Sequence, residues 1–366
     1  MPKVRHAMQI TDITLRRVDL PLEQPLRTSI HRIDSVSCLL VTLTTDTGLE
    51  GEGHIFCFGT EKLRVLEAMV QAFVPMVLNR DPFMTEALWI DMFQNSNFLG
   101  QAGISVMAMT PIDIACWDIV GKASGQNLHR VFGGSRDRIA TYASGGMWLA
   151  ASPDDLVQEA QDFLKQGFKA MKVRLGKLPL AQNIERVEAV RDTIGPDIKL
   201  MADANQGLSV PEAIQLARAL APYDLFWFEE PVPTWDRAGH AEIRTAIPMA
   251  LASGETEYLR YGIRDMIEQK SADILMPDLQ RMGGYTEFRR VIGQMAAASI
   301  PFSPHLFTEH SLALVTSDCL FIEYMPWFAP LFREKVTINP DGTLDIPTRP
   351  GTGFTFDLDA LEPYRV

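Results

Sequence analysis

Beyond about Arg138 the chain alternates short apolar strands with helical stretches, and this rhythm limits its fold more than any other feature. The strands end near Tyr142, Lys172, Asp203, Glu229, Glu255, Asp278, His305 and Glu323. Six of the seven intervals are roughly 23 to 31 residues and the last is about 18, which suits repeated strand–helix units. Eight such strands predict an α/β fold of the TIM-barrel type. No GxGxxG follows a first strand, so an open dinucleotide-binding sheet is not expected.

The rest of the chain has a different texture. From Met8 to about Cys57 it reads as strands, with Asp46-Thr47-Gly48 as a turn, and helices are predicted over Glu61–Val77, around Phe83–Phe93 and over Ile104–Gly121. Strands followed by helices make an α+β domain over 1–137, ahead of a barrel over 138–330. Hairpin signals return in 331–366, at Thr337–Gly342 and Arg349–Gly353, and this segment is expected to pack back onto the first domain. Against 34 basic residues stand 46 acidic ones, a net charge of −12 with no Lys/Arg block, so neither nucleic acid nor an anionic membrane is an expected partner. No apolar run reaches the ~18–20 residues of a membrane span. Four scattered cysteines without a CxxC pair read as reduced thiols, and no h-region follows MPKVRHAMQI, so a cytoplasmic location is expected.

The chemistry lies at the strand ends. Side chains two apart in a strand share a face, which pairs Lys172 with Arg174 and Asp203 with Asn205. In a barrel the C-terminal strand ends meet at one mouth, so Asp203, Glu229 and Glu255, spaced 26 and 26 residues apart, are expected within a few ångströms of one another. Three such carboxylates repel unless neutralised, and oxygen-only ligands favour Mg²⁺. Any one of these acids alone is better explained by a surface ion pair; three at successive strand ends are not. Adjacent strands also put Asp278 beside His305, where a carboxylate on one imidazole nitrogen leaves the other as a general base. Alone, His305 reads equally well as a structural histidine. Glu323 adds an acid from the last strand.

These residues resemble the enolase superfamily, mandelate racemase subgroup, over almost the whole chain. The likeness is carried by Pro111-Ile-Asp113 through Trp117-Asp118 to Gly121-Lys122, then by Lys-x-Arg, Asp-x-Asn, Glu-Glu-Pro, Gly-Glu, Pro-Asp and Pro-His in order. It implies a modified (β/α)7β barrel, with an α+β capping domain formed by the N-terminal part and the C-terminal segment. It also implies one Mg²⁺ on Asp203, Glu229 and Glu255, and a His305–Asp278 acid/base dyad. Glu323 would be a hydrogen-bonding electrophile at the substrate carboxylate, with Lys172 neutralising that carboxylate from the opposite side. The implied reaction is removal of a proton next to a carboxylate through an enediolate, which needs a cation and donors aimed at its oxygens.

Arg174 departs from the subgroup's racemases, which carry a second lysine there as the base on the other face. A guanidinium stays protonated, so it is a poor base and a good fixed cation. One base suffices for β-elimination, which favours dehydration of a sugar acid to a 2-keto-3-deoxy acid. A racemase, epimerase or cycloisomerase on the same scaffold is the alternative, and a metal-binding barrel without turnover is a third. By resemblance, a lid over a small carboxylate substrate comes from Leu26–Ile33, with Arg27, His31 and Arg32, and from His54–Gly59, with Phe56 and Phe58. Met147, Trp148, Tyr324 and Trp327 follow strands one and eight. Arg27, His31, Phe56, Trp148 and Asn205 are the expected substrate-binding residues, and a homo-oligomer is the expected assembly.

Overall fold

The computed structural model describes residues 8–28 and 32–366. Strands β1 (Ile10–Arg27), β2 (Arg32–Thr45) and β3 (Glu50–Cys57) form an antiparallel meander. Gly48, at φ 80°, makes the β2–β3 turn that a side chain would strain. Along β2 the side chains alternate: Leu39, Val41 and Leu43 pack on helices α1 (Thr60–Val77), α2 (Thr85–Asn95) and α3 (Ile104–Ser124), while Val36, Cys38 and Leu40 pack toward the barrel. A sheet covered on both faces explains the unbroken apolar run in β2. Helix α3 is long and apolar enough to span a membrane, yet 83% of that stretch is buried inside the protein. It lies directly on β3, where a Cβ at Gly53 would stand 2.2 Å from the Pro111 carbonyl oxygen.

A short helix α4 (Leu128–Val131) leads into the barrel, whose parallel strands are β4 (Arg138–Ala143), β5 (Ala170–Arg174), β6 (Lys199–Asp203), β7 (Leu225–Glu229), β8 (Ala250–Ser253), β9 (Ile274–Leu275) and β10 (Ile322–Tyr324). Helices α5 (Pro153–Lys165), α6 (Leu180–Ile194), α7 (Val210–Ala219), α8 (Arg237–Ala246), α9 (Leu259–Gln269), α10 (Tyr285–Ala297) and α11 (Thr308–Ser311) follow in turn. Residues 302–305 close the ring as the seventh strand position, through parallel bridges Leu275–Phe302, Asp278–His305 and Phe302–Cys319. No long helix follows β10, the (β/α)7β variant of the TIM barrel. Inside it Tyr142, Met201, Trp227, Met276 and Phe321 form an apolar plug.

The C-terminal segment divides. Strand β11 (Thr343–Asp345) adds antiparallel to β4 of the barrel, which was not expected. After it Gly351 bridges to Asn127, the Phe356 amide donates to Glu52 at 2.8 Å, and Arg365 bridges to Val18, past helix α12 (Leu358–Leu361).

Cap and barrel are also joined by two buried histidines, His54 of β3 and His310 of α11, with Nδ1 and Nε2 3.1 Å apart. Burial pushes His310 down to about 3, and burial with His310 holds His54 well below the ordinary range. Both fold as neutral rings but take up protons once unfolded. Stability is therefore complete above the unfolded value near 6.5 and falls as the pH drops below it, by about 1.4 kcal/mol per pH unit for each ring. His310→Asn should flatten this acid limb in thermal melts between pH 7 and 4.5. An unchanged limb would remove the pair as its cause.

Candidate active site

Strand alternation places the polar groups. Tyr142, Ala170, Met201, Trp227 and Phe321 belong to the plug, so the residues two further along, Ser144, Lys172, Asp203, Glu229 and Glu323, rise above it on the same face. Where the chain leaves these strands it turns sharply: Met147, Asn205, Gln206, Glu230, Leu306 and Phe307 all have left-handed φ between 35° and 60°. Such conformations cost about 1–2 kcal/mol each outside glycine and concentrate at functional sites.

Lys172 is the centre of the charged floor. Its Nζ lies 2.7 Å from Glu229, 3.2 Å from Glu323 and 3.4 Å from Asp203. Burial alone would lower this ammonium, but Glu229 and Glu323 hold it well above its ordinary range. Trp227 Nε1 donates to the other oxygen of Glu229 at 2.9 Å. Burial raises the Glu229 carboxyl, against the pull of Lys172.

Two expectations are corrected here. Lys172 and Glu323 do not stand on opposite sides; they touch. Among the described residues no three acids or histidines form a ready-made coordination cluster, because Lys172 lies between Asp203 and Glu229 while Glu255 turns to His305. Glu323 is also an acceptor in this arrangement. Ser144 Oγ donates to it at 2.5 Å and the Leu306 amide at 2.9 Å. Burial would raise it, but Lys172, His305 and these donors bring it down to about 2. An ionised carboxylate cannot donate, so the electrophile role would require a protonated form that these neighbours disfavour.

On the far wall His305 Nδ1 is 2.7 Å from Asp278, and its Nε2 is 3.3 Å from Glu255. Burial would lower the imidazole, but Glu255 and Asp278 raise it to about 9. Arg281 Nη1 shares Asp278 at 3.4 Å. Asp203, Glu229, Glu230, Glu255, Asp278 and Glu323 together face Lys172, Arg174, Arg281 and His305. Counted as ionised, six carboxylates against four cationic groups leave a formal excess of two negative charges, and burial accordingly pushes Glu229, Glu230 and Glu255 toward their neutral forms unless a divalent cation offsets it. Asp203, Glu229, Glu230 and Glu255 supply carboxylate oxygens of the kind a hard divalent cation takes.

A cavity of about 310 Å³ opens over this floor, within the range of small-molecule clefts. Asp203, Asn205, Glu255, His305, Glu323, Phe56 and Trp148 line it, as do Lys172 and Arg174; Glu229 and Asp278 lie behind its wall. Asn205 donates to Asp203 at 3.1 Å and keeps a buried Oδ1 without a partner. Arg27 is exposed at the end of β1, since alternation turns Thr28 inward in its place. His31 lies outside the described residues.

The sequence reading missed Glu230. This buried carboxylate faces the cavity, accepts from Gln206 at 2.7 Å, and is raised by burial and by Glu255. The doubled acid before Pro231 was its only signal. Ser144, Trp227 and Arg281 were missed too, having no motif of their own.

Residues 10–133 match the mandelate racemase/muconate lactonizing enzyme N-terminal domain, and residues 155–360 match the enolase C-terminal domain-like family. The chain is 31% identical to D-galactarolactone cycloisomerase of Agrobacterium fabrum, over 98% of this chain and 99% of that one. It is 28% identical to L-talarate/galactarate dehydratase of Salmonella typhimurium, over 90% and 82%. Its structure matches that of L-talarate dehydratase from a Polaromonas species, complexed with Mg and L-glucarate, at a TM-score of 0.93 and 28% identity over 98% of each chain. Profile, identity and fold agree over nearly every residue, and the chain belongs to the mandelate racemase/muconate lactonizing enzyme family of the enolase superfamily.

Proposed function

We propose that this protein is a Mg²⁺-dependent enzyme that abstracts the proton α to a carboxylate, and that it dehydrates a sugar acid to a 2-keto-3-deoxy acid. The observation that carries this reading is that, among the described residues, His305 is the one imidazole lining the cavity. His305 is held by Asp278 at the cavity wall, whereas Arg174, across the floor, has its Nη1 on the carbonyl oxygens of Ser144 and Gly146 at 2.6 and 2.9 Å and its Nη2 on Ser144 Oγ at 2.8 Å. That guanidinium is a fixed cation with no lone pair to take a proton.

Asp203, Glu229 and Glu255 would hold the ion, which supplies positive charge against the substrate carboxylate as the α-proton leaves. His305 Nε2 takes that proton, Asp278 keeps the ring oriented through Nδ1, and the protonated ring returns the proton to the β-hydroxyl as it departs. Lys172 compensates the charge that grows on the carboxylate. The named relatives are dehydratases and cycloisomerases, which favours turnover over a non-catalytic metal-binding barrel. The Agrobacterium relative supports a second reading, cycloisomerisation, in which the same base acts while a ring oxygen leaves and no water is lost.

The test is a library of sugar acids in D₂O, read for 2-keto product and for deuterium at C2. Only one configuration at C2 should react or exchange. A keto acid one water lighter than its substrate is the expected product; a product of unchanged mass shifts the assignment to cycloisomerisation. Exchange of both C2 epimers at comparable rates would show a second base and make the enzyme a racemase or epimerase.

A further inference from the structure

Above its charged floor the cavity is aromatic. The Arg174 guanidinium lies 4.1 Å from the ring centre of Trp148, which stacks on Trp327 at 6.1 Å with planes only 6° apart. Trp327 meets Phe58 edge-on at 5.7 Å, and Phe58 meets Phe56 at 5.7 Å. The wall therefore runs without a break from Arg174 to the capping domain. It is also rigid: Arg174 holds the carbonyls of Ser144 and Gly146, and Arg186 donates to those of Trp148 and Ala151.

Apart from Asn205 Oδ1, each described uncharged polar side chain named beside this wall already has one end engaged. Gln206 donates to Glu230, the Gln280 oxygen accepts the Phe56 amide at 2.8 Å, and Thr256 donates to Thr234 at 2.6 Å. An open-chain polyol placed here would lose water from its outer hydroxyls and find few groups of the described residues to replace it. A flat set of C–H groups would lose nothing and gain contact with an aromatic face. Lys62, exposed on the first turn of α1, is the one lining cation that no acid or carbonyl of the described residues holds. Solvent screens a charge in that position.

We propose that the substrate is a sugar acid whose end remote from the reacting carboxylate is uncharged and apolar-faced, lying against Trp148 and Trp327. Arg174, which stands where the racemases have their second base, is a positioning residue for that wall. The proposal rests on the reading of the site as one for a small carboxylate. A closed ring and a terminal deoxy carbon both meet the description, and the test separates them.

Four acids matched at C2 and C3 serve as probes: a ring-closed anhydro acid, a 6-deoxyhexonate, an open-chain hexonate and a hexarate. Each is titrated against the full-length protein with Mg²⁺, following tryptophan fluorescence, and each is assayed separately for α-proton exchange in D₂O. Binding reads the wall; exchange reads the chemistry. Exchange with none of the probes would count against the proposed reaction while leaving the binding order measurable. The ring-closed acid or the deoxy acid should bind at least tenfold more tightly than the hexonate, and whichever does names the source. Trp327→Leu should reduce that ratio about tenfold with its melting temperature preserved. Arg174→Lys should narrow it as well, because lysine cannot hold both carbonyls and face Trp148. Equal affinities, tightest binding of the hexarate, or a ratio untouched in both variants would overturn the proposal. The wild-type ratio needs no variant, so it stands even if Trp327→Leu fails to fold.

Discussion

His305→Asn should eliminate α-proton abstraction, because it removes the one imidazole of the described residues that lines the cavity while keeping a polar side chain of similar size. A positioned acid–base group is typically worth ~10²–10⁴ in rate, and deuterium exchange at C2 should fall at least that far. Asp278→Asn should fall less steeply: the ring stays, but it loses the 2.7 Å partner that orients it. The pH profile carries an independent sign. The base must be unprotonated, and Glu255 and Asp278 raise the ring to about 9 against burial. An ion on Glu255 would offset that acid's pull on the ring, so activity should climb with pH through a value set mainly by Asp278. Asp278→Asn should move the climb to lower pH, since it removes one of the groups that raise the ring. A His305→Asn enzyme that exchanges its α-proton at the wild-type rate would exclude His305 as the base.

The barrel was legible because its signal is local and repeated. Each strand is a short apolar run that ends on a polar residue, and the period recurs from Arg138 onward whatever the tertiary packing. The positions of Asp203, Glu229, Asp278 and His305 at strand ends were legible for that reason, and the bridge between Asp278 and His305 is the adjacency their strand positions require. What side chains do once they converge was not legible. Nothing in Lys-x-Arg says that Lys172 touches three acids, or that Arg174 reaches back to the carbonyls of Ser144 and Gly146. Those contacts join residues 28 or more apart through loop geometry that periodicity does not encode. The hairpin at Thr337–Gly342 was legible and Ile338 bridges Leu344 across it, but the pairing of β11 with β4 escaped for a similar reason: Thr343–Asp345 is only three residues long and pairs far back in the chain.

Glu229→Gln should remove most Mg²⁺-dependent turnover, and comparison with Glu230→Gln makes the result diagnostic. Both acids are buried, one residue apart at the end of β7. Glu229 points up from the plug, with one oxygen on Lys172 and the other on Trp227; Glu230 lines the cavity and is tied to Gln206. The amide keeps the size of Glu229 but withdraws a negative charge from a floor that already contains Lys172. Metal affinity should drop by at least the 10–100-fold seen when supporting groups of metal sites are lost. Wild-type protein should melt at higher temperature with Mg²⁺ than with EDTA, since an ion at 100 times its Kd stabilises the folded state by about 2.7 kcal/mol. Glu229→Gln should lose that increment in the same buffers, and Glu230→Gln should retain most of it. The charge excess makes the alternative equally specific. If Glu230→Gln abolishes the Mg²⁺ shift while Glu229→Gln preserves it, the ion sits on the cavity-lining acid, and Glu229 serves to hold Lys172 beneath the substrate.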